Sequence, residues 1–214
     1  MKNDIFSVKI LLIAMYVAGA IGLKISLTRD LFLYLVPLNL LFSAWVLVYF
    51  QPQRNRYFWT ATALVYALGY GVEVAGVATG VIFGEYWYST VLGIQVLQVP
   101  LLIGVNWWLL GYCAAIVSEK YMQYDWQKIL STATLMTLLD VCIEPIAIAL
   151  HFWYWKNNLV PFQNYLAWFL VSIIVAMVLH YHKGFEKKNT IAPLLLALQF
   201  SFFAILNLLF YLFP

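Results

Sequence analysis

Three acidic side chains lie deep in long apolar runs of this sequence. Glu73 stands in GYGVEVAGVATGVIFGEYWY (69–88), and Asp140 and Glu144 stand in LLDVCIEP (138–145). Asp140 and Glu144 are four residues apart and share one face of a helix. An ionised carboxyl is costly in hydrocarbon, so burial favours the neutral acid. The runs that carry these groups, 57–80 and 129–151, contain no lysine or arginine to neutralise them. At least one of the three is therefore expected to be protonated. A neutral acid beside a carboxylate is a proton donor and acceptor pair. The plainer use of the same groups is hydrogen bonding between helices.

Aromatic residues accompany the carboxyls. Tyr86, Trp87 and Tyr88 come first, then Trp107 and Trp108, then HFWYW at 151–155, then Trp168. Near span ends such residues form an interfacial belt in any membrane protein. Those at 83–88 and 151–168 also stand where ring faces would shelter a cation in a dry pocket. Asn106, Gln163 and Asn164 add neutral polar groups able to hold a water. Acid, base, water and aromatic walls suffice to protonate an electron-rich trisubstituted alkene and to capture the tertiary carbocation as an alcohol. Capture by an internal alkene instead would be cyclisation, and a chain of carboxyls through both leaflets would serve a proton-coupled transporter.

Other chemistries lack their residues. His180 and His182 are two apart and point to different helix faces, so they make no metal-binding His pair. The last apolar run has no lysine for a Schiff base. Neither paired aspartate-rich motifs for magnesium and a diphosphate nor a glycine-rich dinucleotide fingerprint is present. No metal site is expected.

The elements that must position these groups are helices in a bilayer. The 214 residues are 64% hydrophobic and only 10% charged, with mean hydropathy +0.85, whereas soluble domains average about 25% charged. Apolar runs long enough to cross about 30 Å of hydrocarbon occur at 6–23, 31–50, 57–80, 100–118, 129–151, 163–182 and 191–213. The sequence thus predicts an all-α polytopic bundle of about seven transmembrane helices, one integral-membrane domain over 1–214. Segment 81–99 is expected to be re-entrant or interfacial, with Pro100 in the first turn of the next helix. MKNDIFSVKILLIAMYVAGAIG resembles a signal peptide, but the length of its apolar run favours an uncleaved first helix. Cys113 and Cys142 fall inside spans and read as small core residues. Gly76, Gly80 and Gly84, spaced by four, are expected to form a ridge on which another helix packs beside Glu73.

The net charge of +3 speaks to orientation and not to nucleic acid. Lys2, Lys9, Arg54, Arg56, Lys120, Lys128, Lys183, Lys187 and Lys188 fall on one side, and Lys24, Arg29 and Lys156 on the other. The amino terminus is therefore expected in the cytoplasm of a bacterial or archaeal cell and the carboxyl terminus outside. At about 1.5 Å per residue, Glu73 lies about 24 Å, Asp140 about 16 Å and Glu144 about 22 Å from the inner ends of their runs. All three are expected at similar depth in the outer half.

EVAGVATGVIFGEYWY (73–88), DVCIEPIAI (140–148) and FWYWKNNLVPFQNYLAWF (152–169) together resemble the membrane carotenoid 1,2-hydratases, which include the bisanhydrobacterioruberin hydratases. The resemblance implies cofactor-independent addition of water across the terminal C1–C2 double bond of an acyclic ψ end group. It implies a carotenoid substrate (lycopene, γ-carotene or a longer relative), the lipid bilayer and other carotenoid-biosynthesis enzymes as partners. By the same likeness Glu73, Asp140 and Glu144 are expected to be catalytic. Thr79, Phe83, Tyr86, Trp153, Trp155, Asn164 and Trp168 are expected to bind substrate, Trp153, Trp155 and Tyr86 against the cation and Asn164 orienting water. Glu144 departs from the aspartate that some relatives carry before the proline, and Asn158-Leu159-Val160-Pro161 departs from their Tyr-Gly-Val-Pro-like approach to the asparagine.

Overall fold

The computed structural model describes residues 2–182 and 186–212. Lys183, and the side chain of Lys2, used above for orientation, fall outside what is described. The chain runs α1 (Lys2–Lys24), α2 (Ser26–Tyr49), α3 (Arg56–Thr79), β1 (Tyr86–Tyr88), β2 (Gln95–Val96), β3 (Val99–Pro100), α4 (Leu102–Tyr121), α5 (Asp125–Ala149), β4 (Trp153–Trp155), α6 (Phe162–Tyr181) and α7 (Ala192–Leu212). Among the described residues, seven helices are long and apolar enough to cross a membrane. This is the all-α polytopic architecture expected of the sequence, with two small strand pairs added at one end.

α4 forms the axis of the bundle. It is apolar all round, and 72% of its span is buried inside the protein, as a helix with neighbours on every side should be. α3, α5, α6, α7 and α2 all pack against it. The outer helices bury one stripe and leave Leu27, Tyr34, Leu166 and Leu208 exposed. That surface suits a chain whose solvent is lipid.

α3 shows how the sequence aims a carboxyl inward. Phe58, Ala61, Val65, Gly69, Glu73 and Gly76 recur every three or four residues and form its buried stripe. Asn55 caps the start, its side chain accepting from the Phe58 N–H at 3.0 Å. Gly80 ends it in the left-handed region, at φ +66°, where glycine has no Cβ penalty. α5 is tied to α7 one turn before its internal Pro145, where the Asn207 amide donates to the Cys142 carbonyl at 2.7 Å.

Two expectations change here. The glycines do not form a ridge for another helix, because the helix stops at Thr79. A Cβ at Gly76 would stand 2.6 Å from the Phe83 ring, and one at Gly84 2.7 Å from Pro161. The glycines instead let segment 81–84 fold back onto α3 and onto the start of α6. Nor does Pro100 stand in the first turn of the next helix: it pairs with Gln95 in an antiparallel strand pair, and α4 begins at Leu102.

α3 and α4 approach closely at Gly69, where an added Cβ would lie 2.4 Å from Trp107 Cβ and Cγ. Gly69→Leu should therefore lower the thermal unfolding midpoint in detergent, at an overpacking cost of about 1–3 kcal/mol. Gly71→Leu, on the same helix with nothing within 4 Å of a Cβ, should not. Equal midpoints for the two variants would contradict this packing.

Candidate active site

β1 and β4 pair antiparallel with Tyr86 opposite Trp155, Trp87 opposite Tyr154 and Tyr88 opposite Trp153. Side chains alternate across a strand, so Tyr86, Tyr88, Trp153 and Trp155 share the face turned to the bundle. Trp87 and Tyr154 stack on the other face, with ring centroids 6.0 Å apart. The pair is closed at one end by the Ser89 N–H on the Phe152 carbonyl. At the other, the Lys156 N–H donates to the Glu85 carbonyl, and the Lys156 ammonium meets the Glu85 carboxylate at 2.7 Å.

The inward face brings four donors to two carboxyls. Glu73 Oε2 accepts from the Tyr86 hydroxyl at 2.5 Å and the Tyr88 hydroxyl at 2.8 Å, and its Oε1 accepts from Trp107 Nε1 at 3.0 Å. Glu144 Oε2 accepts from Trp153 Nε1 at 3.0 Å and Trp155 Nε1 at 2.8 Å. Asn164, in the first turn of α6, holds the two acids of α5 together. Its Nδ2 donates to Asp140 Oδ2 at 3.0 Å and to Glu144 Oε1 at 3.4 Å. Glu73, Asp140 and Glu144 are 3%, 1% and 2% exposed, and every one of these partners is neutral. Thus burial is compensated by hydrogen bonds and not by a counter-charge.

The donor types assign places to protons. An indole N–H donates only, so Glu73 Oε1 and Glu144 Oε2 are held as acceptors. Burial, reinforced by the nearby Glu73 carboxyl, raises the Tyr86 and Tyr88 hydroxyls above the ordinary phenol range, so they remain donors too. Asp140 Oδ1 makes no hydrogen bond among the described residues, which leaves it as the oxygen free to carry a proton.

These groups enclose a cavity of about 30 Å³ lined by Glu73, Phe83, Tyr86, Tyr88, Ile103, Asn106, Trp107, Asp140, Glu144, Trp153, Trp155, Asn164 and Trp168. A site of about 10–15 Å³ already admits a water when polar partners surround it. Trp107 and Trp168 stack at 3.9 Å, and Tyr86 lies 4.9 Å from Trp155. Through Ile103, Asn106 and Trp153 this cavity adjoins a larger apolar one of about 100 Å³. Among the described residues no three His, Cys, Asp or Glu side chains converge closely enough to hold a metal ion.

Nine of the expected site residues line the cavity: Glu73, Asp140, Glu144, Phe83, Tyr86, Trp153, Trp155, Asn164 and Trp168. Thr79 does not. It stands in the exposed last turn of α3, its hydroxyl donating to the Ala75 carbonyl at 2.6 Å and accepting from the Val81 N–H at 3.2 Å. Gln163, expected to hold a water, donates instead to the Val81 and Ile82 carbonyls. Sequence reasoning left Tyr88 and Trp107 out of the site. The triplets YWY and WYW, aromatic and flanked by Gly84 and Pro161, carried the strand signal that would have put Tyr88 on the same face as Tyr86.

Residues 34–213 match the family described as carotenoid biosynthesis protein. The chain belongs to that family. The matched segment contains every residue of the cavity. The chain is also 30% identical over 134 residues to the bisanhydrobacterioruberin hydratase of Haloarcula japonica, covering 56% of this chain and 43% of that protein. The alignment thus spans less than half the length of that relative. No solved structure matches the chain.

Each inward donor should matter and the outward rings should not. Tyr88→Phe and Trp155→Phe each leave a buried carboxyl one hydrogen bond short. Each should cost about 1.5–3 kcal/mol, read as a lower unfolding midpoint in detergent. Trp87→Phe should cost little. A loss at Trp87 as large as at Trp155 would mean the strand register is wrong.

Proposed function

We propose that this protein adds water across the terminal C1–C2 double bond of an acyclic carotenoid end group, giving a 1-hydroxy carotenoid. The observation that carries this reading is a water-sized cavity with an acid and two acceptors in its wall, adjoining an apolar cavity. Family membership and the likeness to a hydratase support the carotenoid class of substrate. Lycopene, γ-carotene or a longer relative carries the required end.

In the proposed step the neutral Asp140 gives its proton to C2, and the alkene's electron pair forms the new C–H bond. The positive charge falls on C1, a tertiary centre, where the faces of Tyr86, Trp153 and Trp155 and the nearby carboxylates stabilise it. Water attacks C1 through an oxygen lone pair. Its surplus proton passes to Glu144 Oε1, whose one bond, from Asn164 at 3.4 Å, is the longest made by these carboxyls. Asn164 lies between Glu144 and Asp140 and keeps them close enough for the proton to return through water and reset the acid. Glu73, saturated by three donors, serves as a fixed negative pole. Oriented water favours hydration over cyclisation by an internal alkene. The excess of Lys and Arg on the α2–α3, α4–α5 and α6–α7 side supports a cytoplasmic amino terminus, which puts the site in the outer half of the membrane.

The test is expression in a host that accumulates lycopene or γ-carotene, with products read by mass. The wild type should yield a product heavier by one water, where a cyclase would yield an isomer. Asp140→Asn should lower hydration by about 10²–10⁴-fold, the usual range for a lost general acid, with the protein still folded. Hydration at the wild-type rate by Asp140→Asn would refute the mechanism.

A further inference from the structure

The apolar cavity beside the acid site continues outward. At its far end it shares Leu23, Val36, Asn39 and Phe202 with an open groove of about 470 Å³ between α1 and α2. Gly19 forms part of the groove's wall, and a Cβ there would already stand 3.3 Å from the Phe202 ring. The groove is also lined by Leu35 and Leu38, which are 40% and 59% exposed, so its mouth faces the hydrocarbon.

We propose that these three spaces form one lateral route, by which a long polyene enters from the bilayer between α1 and α2 and reaches the acid site with its end group. The rest of the polyene lies in the groove and in the lipid. The identity of the occupant rests on the hydratase reading. Its shape follows from the route itself, which is mainly apolar, runs past Val36 and Phe202, and is open to lipid. A slender chain longer than the cavity fits it, because the part that does not fit remains in hydrocarbon at no solvation cost. α1 lies outside the segment that matches the family, 34–213, so one wall of the entry belongs to a part of the chain the family match does not include.

The experiment uses the full-length protein in detergent. Lycopene fixed in a chiral cavity acquires circular dichroism in its visible band, which reports binding without catalysis. Hydration of lycopene is compared with that of myrcene, a short terpene ending in the same trisubstituted alkene. Gly19→Trp and Leu35→Trp, both in the outer groove and outside the cavity, should abolish the lycopene dichroism and lycopene hydration while myrcene is still hydrated and the unfolding midpoint holds. Val17→Trp, on an exposed position of α1 outside the groove, should change neither. Asp140→Asn should keep the dichroism and lose the product. If Gly19→Trp and Leu35→Trp bind and convert lycopene as the wild type does, the lateral route is wrong. If dichroism appears in the wild type and is lost in both variants, yet no hydrated product forms from either alkene, the route stands and the hydratase reading falls. If lycopene gives no dichroism in the wild type, the route falls on its own account, whatever becomes of myrcene.

Discussion

Two glutamates, one on α3 and one on α5, buried with no cation beside them among the described residues, set the terms for one end of this molecule. A carboxyl in a dry interior must find donors or stay neutral. Glu73 and Glu144 find theirs mainly in a pair of three-residue strands whose inward faces carry two phenols and two indoles. An isolated two-stranded ribbon this short has no independent stability. It is held because its side chains satisfy the carboxyls, as the carboxyls are tolerated because the ribbon covers them. Neither half of this arrangement is stable without the other.

That mutual dependence explains features which look unrelated in the chain. Gly80 and Gly84 turn the backbone back sharply after α3, and Gly76 makes room for Phe83, so that β1 arrives over Glu73 within a few residues. Gly69 lets Trp107 come close enough for its indole to reach the same carboxyl from α4. Asn164 enters at the first turn of α6 and bridges Asp140 to Glu144. Asp140 is the exception in this network, with one bond where Glu73 and Glu144 have three each. The group least tied down by donors is the one proposed to move a proton.

Hydration of a hydrocarbon needs a polar pocket for water and an apolar space for the alkene in contact with each other. The protein keeps the two apart except at Ile103, Asn106 and Trp153. The polar pocket lies under the strand pair, and the apolar space extends between helices that already face lipid. Such a division lets a substrate with no polar handle be placed by shape alone.

The seven spans and the three carboxyls were legible in the sequence, because hydrophobic run length and the cost of a charge in hydrocarbon are properties of each segment on its own. The aromatic wall was legible as residue types, and the family motifs gathered most of its members. The strand pairing was not, since three-residue strands give no periodicity to read and exist through contacts 65 to 69 residues apart in register, such as Tyr86 with Trp155. For the same reason the glycines read as a helix ridge when they are turn and contact positions, and Thr79 read as a site residue although its hydroxyl is spent on its own backbone. Spacing along one helix cannot reveal where that helix stops when a left-handed glycine ends it. The sequence by itself determined which groups are buried in the membrane and that they need donors. Only the tertiary structure decided which donors meet which oxygen, because hydrogen bonds are fixed by distance and direction between elements remote in the chain.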